Sequence, residues 1–350
     1  MGEMVIEDQE LKRTMRLLLV TLTSLFLTSG FCQSRIIRVS LDGKSPYSSI
    51  AAALSSIAAS DSNKIILQIG PGVYREKLYI TKDQVSLQGS GMNKTIIISS
   101  IARDEWRCEH PDDWGVATLN VGASDITLSD LSVINDVGFN FVPKSLDCPA
   151  DTLQKTPKQL RKDGHQMAVR TMNGATRMKA IRCKFSAYGG DTMSPWNTEN
   201  GLWYFKDCIM EGGVDFFCPR GWSWAEDCTF ISLNGPAAIW HDGSGNEDSK
   251  SVWKHCTFLG YDGFLLGRYH RDAQFYLVDC RFGKNMRDQD IYLVSTTNTI
   301  RWGRRIYYAS CKKEGKEQFN WYADNLPEGL KKEHISLNWI FGDKWQPKEK

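Results

Sequence analysis

The segment FKDCIM (Phe205–Met210) is one of five related phrases that decide the fold. The others are IRCKF (Ile181–Phe185), AEDCTF (Ala225–Phe230), WKHCTF (Trp253–Phe258) and LVDCRF (Leu277–Phe282). Their cysteines follow one another at intervals of 25, 20, 28 and 24 residues. A repeat of this length is typical of a solenoid, in which each repeat forms one coil and contacts only its neighbours. The phrases therefore predict a chain wound into stacked, strand-rich coils.

The cysteines of these phrases are predicted to be structural. In every phrase the residue two positions after the cysteine is apolar, which is the alternation of a strand with one buried face. We therefore expect a ladder of buried free thiols that pack as small apolar groups. Cys108 and Cys148 flank a non-repetitive region instead, and they are the best candidates for a disulfide.

Gln166, Asp191 and Asp215 keep a similar interval, with separations of 25 and 24 residues. Successive coils of a parallel β-solenoid lie about 4.7–4.9 Å apart. A spacing of one coil would hold the amide and the two carboxyl groups close together on one face. Because two adjacent carboxyl groups do not both ionise easily, such a pair suits acid and nucleophile chemistry. Either aspartate alone is also explained as a turn residue beside glycine.

The N-terminus has the order of a secretion signal. Basic residues precede the apolar run LLLVTLTSLFL (Leu17–Leu27), which is short for a membrane span, and a small, polar stretch follows. We expect residues 1–34 to be a signal peptide, and the protein to be secreted or periplasmic. Translation from Met4 or Met15, and lipid attachment at Cys32, are alternatives.

The rest of the chain, residues 35–350, is predicted to form a single domain. An amphipathic segment, Ser48–Asp61, predicts a short helix that covers the open N-terminal end of the solenoid. Residues 136–164 interrupt the repeat and predict a long inserted loop beside the cleft. Residues 326–350 are predicted to pack along the outside.

Six segments occur in an order that resembles the signature of the pectin methylesterases: GVYREK (72–77), LSVINDVG (131–138), HQMAVR (165–170), GGDTM (189–193), GGVDFF (212–217) and LLGRYH (265–270). The likeness extends from about Val39 to Phe282. It implies an all-β fold, a single-stranded right-handed parallel β-helix. It also implies hydrolysis of methyl esters on galacturonic acid residues of pectic polysaccharide, without a metal or other cofactor.

The resemblance also implies a role for each site residue. Asp215 would be the nucleophile, and Asp191 the general acid and base. Gln166 would donate to the oxyanion, and Arg268 would orient the carboxylate of Asp215. We expect the two carboxyl groups to titrate as a coupled unit.

Two departures from the family pattern predict a divergent, bacterial-type member. Gly190 stands where typical relatives carry a second glutamine, and Tyr269 and His270 replace a proline and a tryptophan. Losing one oxyanion donor costs about a hundredfold or more in rate unless another group replaces it. We expect Trp196, Trp240, Tyr269 and His270 to contact the substrate.

The net charge of +2 gives no indication of a nucleic-acid or membrane partner. We expect a monomer whose partner is an anionic pectic polysaccharide, with membrane contact only if Cys32 is lipidated. Three other functions fit the same features. They are a non-catalytic, pectin-binding β-helix, an esterase for another pectic ester, and a calcium-dependent pectic lyase that uses arginine as its base.

Overall fold

The structure is a computed structural model. It describes residues 34–148, 158–172, 174–235, 237–241, 243, 245–295 and 297–347. The predicted signal peptide up to residue 33, including Cys32, lies outside the described residues, so its assignment stays a prediction.

The chain winds repeatedly through three parallel sheets, and most coils contribute one strand to each sheet. The first sheet has the strands Ser34–Val39, Lys64–Ile69, Val85–Gln88, Ile126–Ser129, Met178–Ile181, Leu202–Lys206, Trp222–Glu226, Ser251–Lys254, Gln274–Val278 and Arg305–Ala309. The second has Gly72–Arg75, Thr95–Ser99, Ser132–Asn135, Lys184–Ala187, Ile209–Gly212, Thr229–Ser232, Thr257–Gly260, Arg281–Phe282 and Lys312–Lys313.

The third sheet carries the candidate site and consists of two parts. One part has Leu78–Ile80, Ala117–Val121, Met167–Thr171 and Met193–Ser194, and the other has Ile239–His241, Gly267–Tyr269 and Tyr292–Leu293. Single bridges from Phe217 to Met193 and to Ile239 join the two parts. A small antiparallel pair, Ser145–Leu146 with Lys158–Gln159, lies in the predicted inserted loop.

The core lies inside the coil, where like residues of successive repeats stack. Phe230 pairs in register with Phe258, and Phe258 with Phe282, and all three are fully buried. The first two rings stack with centroids 4.8 Å apart. These phenylalanines are the residues two positions after the phrase cysteines, so the alternation identified the inward face. The five phrase cysteines are free and buried, as predicted.

From Asp130 onward, the turn between the first and second sheets places one residue of each coil in the left-handed region. Seven of these residues, with φ between 51° and 55°, form what we call the charged column: Asp130, Arg182, Asp207, Asp227, His255, Asp279 and Ser310. The residue after each one points inward, and in the last six turns it is a cysteine. Burial raises the pKa of the Cys183, Cys228 and Cys280 thiols, so these groups stay protonated.

Helix α1 (Ile50–Ser55) packs against the N-terminal end of the core and is shorter than the predicted segment. Its N-cap, Ser49, accepts from Ala52 N. Glu76 accepts from Ile50 N at 3.0 Å and from Ala51 N at 2.8 Å, which satisfies two backbone donors of the first turn. The GVYREK segment therefore has a structural role at this end of the coil.

Helix α2 (Arg103–Glu109) was not predicted from the sequence. A disulfide between Cys108 and Cys148 ties it to the inserted segment, so the candidate pair does bond. The backbone of Arg103 also donates to His165 O at 3.0 Å. The helix and the insertion are thus held together next to the strand that begins at Met167.

The C-terminal segment packs on the outer face of the first sheet. Its helix α3 (Leu337–Phe341) contributes Ile340 and Phe341 to a cluster with Trp222 and Trp224. Short 3₁₀ turns occur at Asn320–Tyr322, Lys332–His334 and Gly342–Lys344. None of the helices in the described part of the chain is long and apolar enough to cross a membrane.

Candidate active site

Asp191 and Asp215 lie in two equivalent turns of adjacent coils, each just before a strand or bridge of the third sheet. Gly190 is bridged on one side to His165 and on the other to Val214, so residues 166, 191 and 215 follow one another in register. Both aspartates adopt left-handed backbone conformations, with φ of 58° and 47°. Their relative exposures are 8% and 9%, so both aspartates are largely removed from water.

Arg268 holds Asp215 through a bidentate ion pair. Its Nε donates to Asp215 Oδ1 at 2.9 Å and its Nη2 to Oδ2 at 2.7 Å. Burial is the largest influence on Asp215 and raises the pKa of its carboxyl group, and the charge of Asp191 acts in the same direction. The hydrogen bonds and charge of Arg268 lower it, which offsets part of the cost of burial. The arginine fixes the carboxylate plane and favours its ionised form.

Gln166 is 1% exposed, and both ends of its amide are bonded to the predicted inserted loop. Its Oε1 accepts from Gly138 N at 3.1 Å, and its Nε2 donates to Lys162 O. An amide nitrogen carries two hydrogens, so one N–H remains for another acceptor. Gln166 therefore anchors the insertion as well as lying in register with the two aspartates.

His165 comes closer to the carboxyl pair than sequence reasoning indicated. Its Nε2 lies 3.9 Å from Asp191 Oδ1, and its side chain is 52% exposed. The same imidazole lowers the pKa of Asp215, although this is the smallest of the effects on that group. The half-exposed ring thus lies beside Asp191 and close enough to Asp215 to affect its charge.

Trp196 is the exposed aromatic side chain nearest in sequence to this centre, at 38% exposure. Two buried arginines support it: the guanidinium carbons of Arg170 and Arg220 lie 4.5 Å and 4.0 Å from its ring centroid. Both also donate to Ser194 Oγ, at 2.8 Å and 3.2 Å. A tryptophan fixed in this way offers a rigid surface for stacking against a sugar ring.

Trp240 and His270 form a second aromatic group beside Arg268. Their ring centroids are 4.6 Å apart, and the guanidinium of Arg268 lies 5.4 Å from the Trp240 ring. Trp196 and His270 also line one open cavity of about 600 Å³, together with Arg271 and Arg301. Of the candidate substrate residues, Trp240 and His270 therefore lie beside the arginine that holds Asp215, and Trp196 shares a cavity with His270.

Tyr269 corrects the sequence-based assignment of substrate contacts. Its side chain is 5% exposed and belongs to the apolar core, edge-on to Phe275 at 6.4 Å. Alternation along the strand Gly267–Tyr269 explains this, because Arg268 faces the cleft and its neighbour must face inward.

The chain is similar in sequence and fold to known pectinesterases. A family model described as pectinesterase matches residues 36–142. The chain is 22% identical over 338 residues to "Probable pectinesterase 67" of Arabidopsis thaliana, covering 92% of this chain and 88% of that protein. It is 24% identical to pectinesterase 31 of the same plant, covering 67% and 69% of the two chains. The similarity to pectinesterases therefore extends over most of the chain.

A solved pectin methylesterase in complex with a hexasaccharide superposes with a TM-score of 0.68, at 19% identity, over 90% of this chain and 98% of that one. The fold is therefore the right-handed parallel β-helix of the pectin methylesterases, as predicted. The assignment to a bacterial-type member stays a prediction.

Sequence reasoning missed three residues at this site: His165, which lies beside Asp191, and Arg170 and Arg220, which support Trp196. The first two belong to the segment HQMAVR, and alternation along it would have indicated that Arg170 shares a face with the catalytic candidates. Arg170 pairs in register with Ser194. Arg220 had no such signal, because it follows Cys218 outside any regular strand.

Proposed function

We propose that this chain hydrolyses methyl esters of galacturonic acid residues in pectic polysaccharide, releasing methanol. One observation carries the proposal. Two buried aspartates lie in register on adjacent coils, and one of them is held in a bidentate pair with an arginine. A fixed carboxylate beside a second carboxyl group can provide the nucleophile and the general acid of ester hydrolysis.

In the first half of the reaction, an oxygen of Asp215 attacks the ester carbonyl carbon, and the carbonyl electron pair moves onto oxygen. The tetrahedral intermediate collapses by breaking the bond to the methoxy group, which takes the proton from Asp191 and leaves as methanol. An anhydride between Asp215 and the sugar carboxyl group remains. The second N–H of Gln166 is a candidate donor to the negative oxygen.

In the second half, Asp191 accepts a proton from water, and the resulting hydroxide attacks the anhydride carbonyl carbon. Breaking the bond to Asp215 restores both aspartates and frees the sugar carboxylic acid, which then releases its proton to the solvent. Arg268 stabilises Asp215 as the leaving carboxylate and orients it for the next attack. Atoms and charges balance without a metal or a redox partner.

The polysaccharide would lie along the third sheet, with sugar rings against Trp196 and near Trp240 and His270. The solved relative that carries a hexasaccharide supports a saccharide ligand for this fold. Two basic residues of the inserted loop are already paired, Lys158 with Asp104 at 2.6 Å and Arg161 with Asp163 at 2.8 Å. They would have to exchange these partners to bind uronate. The protein would act as a monomer outside the cytoplasm.

The proposal is tested by methanol release from methyl-esterified pectin, comparing the wild type with Asp215→Asn. We expect release by the wild type only, with chelators having no effect and no unsaturated sugar product. Equal activity of the two proteins would overturn the catalytic assignment. Binding of pectin without methanol release would favour a carbohydrate-binding β-helix, and release of acetate from acetylated pectin would favour a different ester.

A further inference from the structure

We propose that His165 is an additional catalytic residue, whose Nε2–H donates to the ester carbonyl oxygen as it becomes negative. This inference rests on the proposed esterase function and deepens it. It assigns an imidazole to the oxyanion position left open by the glycine at residue 190.

The ring of His165 borders the space that a side chain at position 190 would enter. The two residues are bridged across adjacent coils. A Cβ atom built on Gly190 would lie 3.9 Å from His165 Cδ2, in ordinary van der Waals contact, and 3.0 Å from Val214 O. Glycine therefore leaves that space to the imidazole of the preceding coil, and a longer side chain at 190 would compete for it.

The imidazole of His165 can also donate a hydrogen bond to a ligand. Its Nε2 lies 3.9 Å from Asp191 Oδ1, which is too long for a hydrogen bond, so Asp191 does not consume an N–H at this nitrogen. Within the described part of the chain, no hydrogen bond of the His165 ring is found. Its backbone is fixed, because His165 O accepts from Arg103 N at 3.0 Å. A carbonyl oxygen placed between the two carboxyl groups would fall within reach of this half-exposed ring.

Gln166 differs from His165 in this respect. Its amide is buried and bonded at both ends to the segments around Gly138 and Lys162. A donor that is already committed to the fold has less freedom to follow a developing negative charge than a neighbouring ring that faces the cleft. Gln166 would then anchor the insertion and offer only its one remaining N–H, and His165 would supply the second donor to the substrate.

The test compares His165→Ala and His165→Gln with a matched control, His255→Ala. His255 has the same 52% exposure and a similar distance to an aspartate, 3.7 Å between Nδ1 and Asp227 Oδ1, but it lies in the charged column. We expect His165→Ala to lower kcat about 100-fold, with little change in KM. His165→Gln keeps a neutral donor and should retain much of the activity, with an altered pH profile. His255→Ala should match the wild type.

A readout without turnover uses the Asp215→Asn protein. Adding unesterified oligogalacturonide should shift the His165 imidazole signals in NMR spectra and leave those of His255 unchanged, because the product carboxylate occupies the position of the ester. Unshifted His165 signals at saturation would overturn the inference.

The remaining outcomes separate the two proposals. Full activity of a folded His165→Ala protein would overturn this inference and leave the esterase function standing. A wild type that neither releases methanol nor binds the oligogalacturonide would overturn both. Equal loss in the alanine and glutamine variants, with an unchanged pH profile and lower thermal stability, would assign His165 a structural role instead.

Discussion

Two regions of the molecule pair the same kinds of side chains but differ in function. One is the active-site corner, formed by His165, Asp191, Asp215 and Arg268, and the other is the charged column. At the active-site corner Arg268 holds Asp215 at 2.9 Å and 2.7 Å, and in the charged column Arg182 holds Asp130 at 2.7 Å and 2.8 Å. Both sites also set a histidine against an aspartate on a neighbouring coil, at 3.9 Å and 3.7 Å. All four aspartates have left-handed backbone conformations.

Burial separates the two regions. The side chains of Asp191 and Asp215 are 11% and 12% exposed, whereas those of Asp130 and Asp227 are 25% and 45% exposed. Water screens the charges of the column, so its pairs contribute little free energy and no reactivity. At the active-site corner the same charges interact with less screening, and the pKa of Asp215 is raised. Stacked carboxyl groups therefore become chemically useful only where the surrounding chain excludes solvent.

The largest expected contrast is in catalysis. Asp215→Asn should lower methanol release at least about 1,000-fold, because an amide is a poor nucleophile and the reaction has no other covalent route. Asp227→Asn, in the charged column, should leave kcat/KM within about twofold. Steady-state assays of the two purified variants measure this. A comparable loss in both would mean that the loss reflects the integrity of the coil, not the chemistry.

The second-largest contrast should be between Arg268 and Arg182, in kcat and in the pH–rate profile. Arg268→Gln removes two hydrogen bonds to the nucleophile, and we expect kcat to fall about 100-fold. The pKa of Asp215 should rise further, because the arginine lowers it, so the acidic limb of the pH–rate profile should move to higher pH. Arg182→Gln should change neither quantity. An unchanged acidic limb in Arg268→Gln would show that Asp215 does not control it.

The substitution Asp215→Asn, which should remove activity, should increase thermal stability. Because the folded pKa of Asp215 is raised, the protonated form stabilises the fold below the unfolded pKa of about 3.9, and this contribution is lost as pH rises through the folded pKa. Asp215→Asn should therefore raise the thermal midpoint by about 2 °C at pH 7 and not at pH 3. Asp227→Asn is the control in calorimetry at both pH values. A lower midpoint at pH 7 would show that the arginine pair outweighs burial.

The smallest expected effect is on the free energy of unfolding when a pair in the charged column is broken. Asp130→Asn breaks a solvent-exposed bidentate pair, and we expect the free energy of unfolding to fall by less than about 1 kcal/mol. Denaturant titration measures the change, and the activity should be unaffected. A loss of several kcal/mol would mean that the column fixes the turns of the coil, beyond its screened charges.

Much of the fold followed from periodicity in the sequence. The cysteine phrases identified the coils, and the apolar residue two positions later identified the inward face, as the stacked rings of Phe230 and Phe258 show. Helix α2 was missed because it has only seven residues, from Arg103 to Glu109, and is held by a disulfide and by contacts with the insertion. Tyr269 was misassigned because the family motif was followed instead of the alternation beside Arg268.

The sequence by itself determined the stride that brings Gln166, Asp191 and Asp215 onto one face, because a repeat of one coil fixes which residues become neighbours. Only the tertiary structure decided which of the many stacked aspartates are kept from water, and which donor faces them. Solvent exclusion depends on segments that are distant in sequence, such as the insertion that closes over Gln166 and the strand that carries Arg268. That is why His165 became visible as a candidate only after the chain was folded.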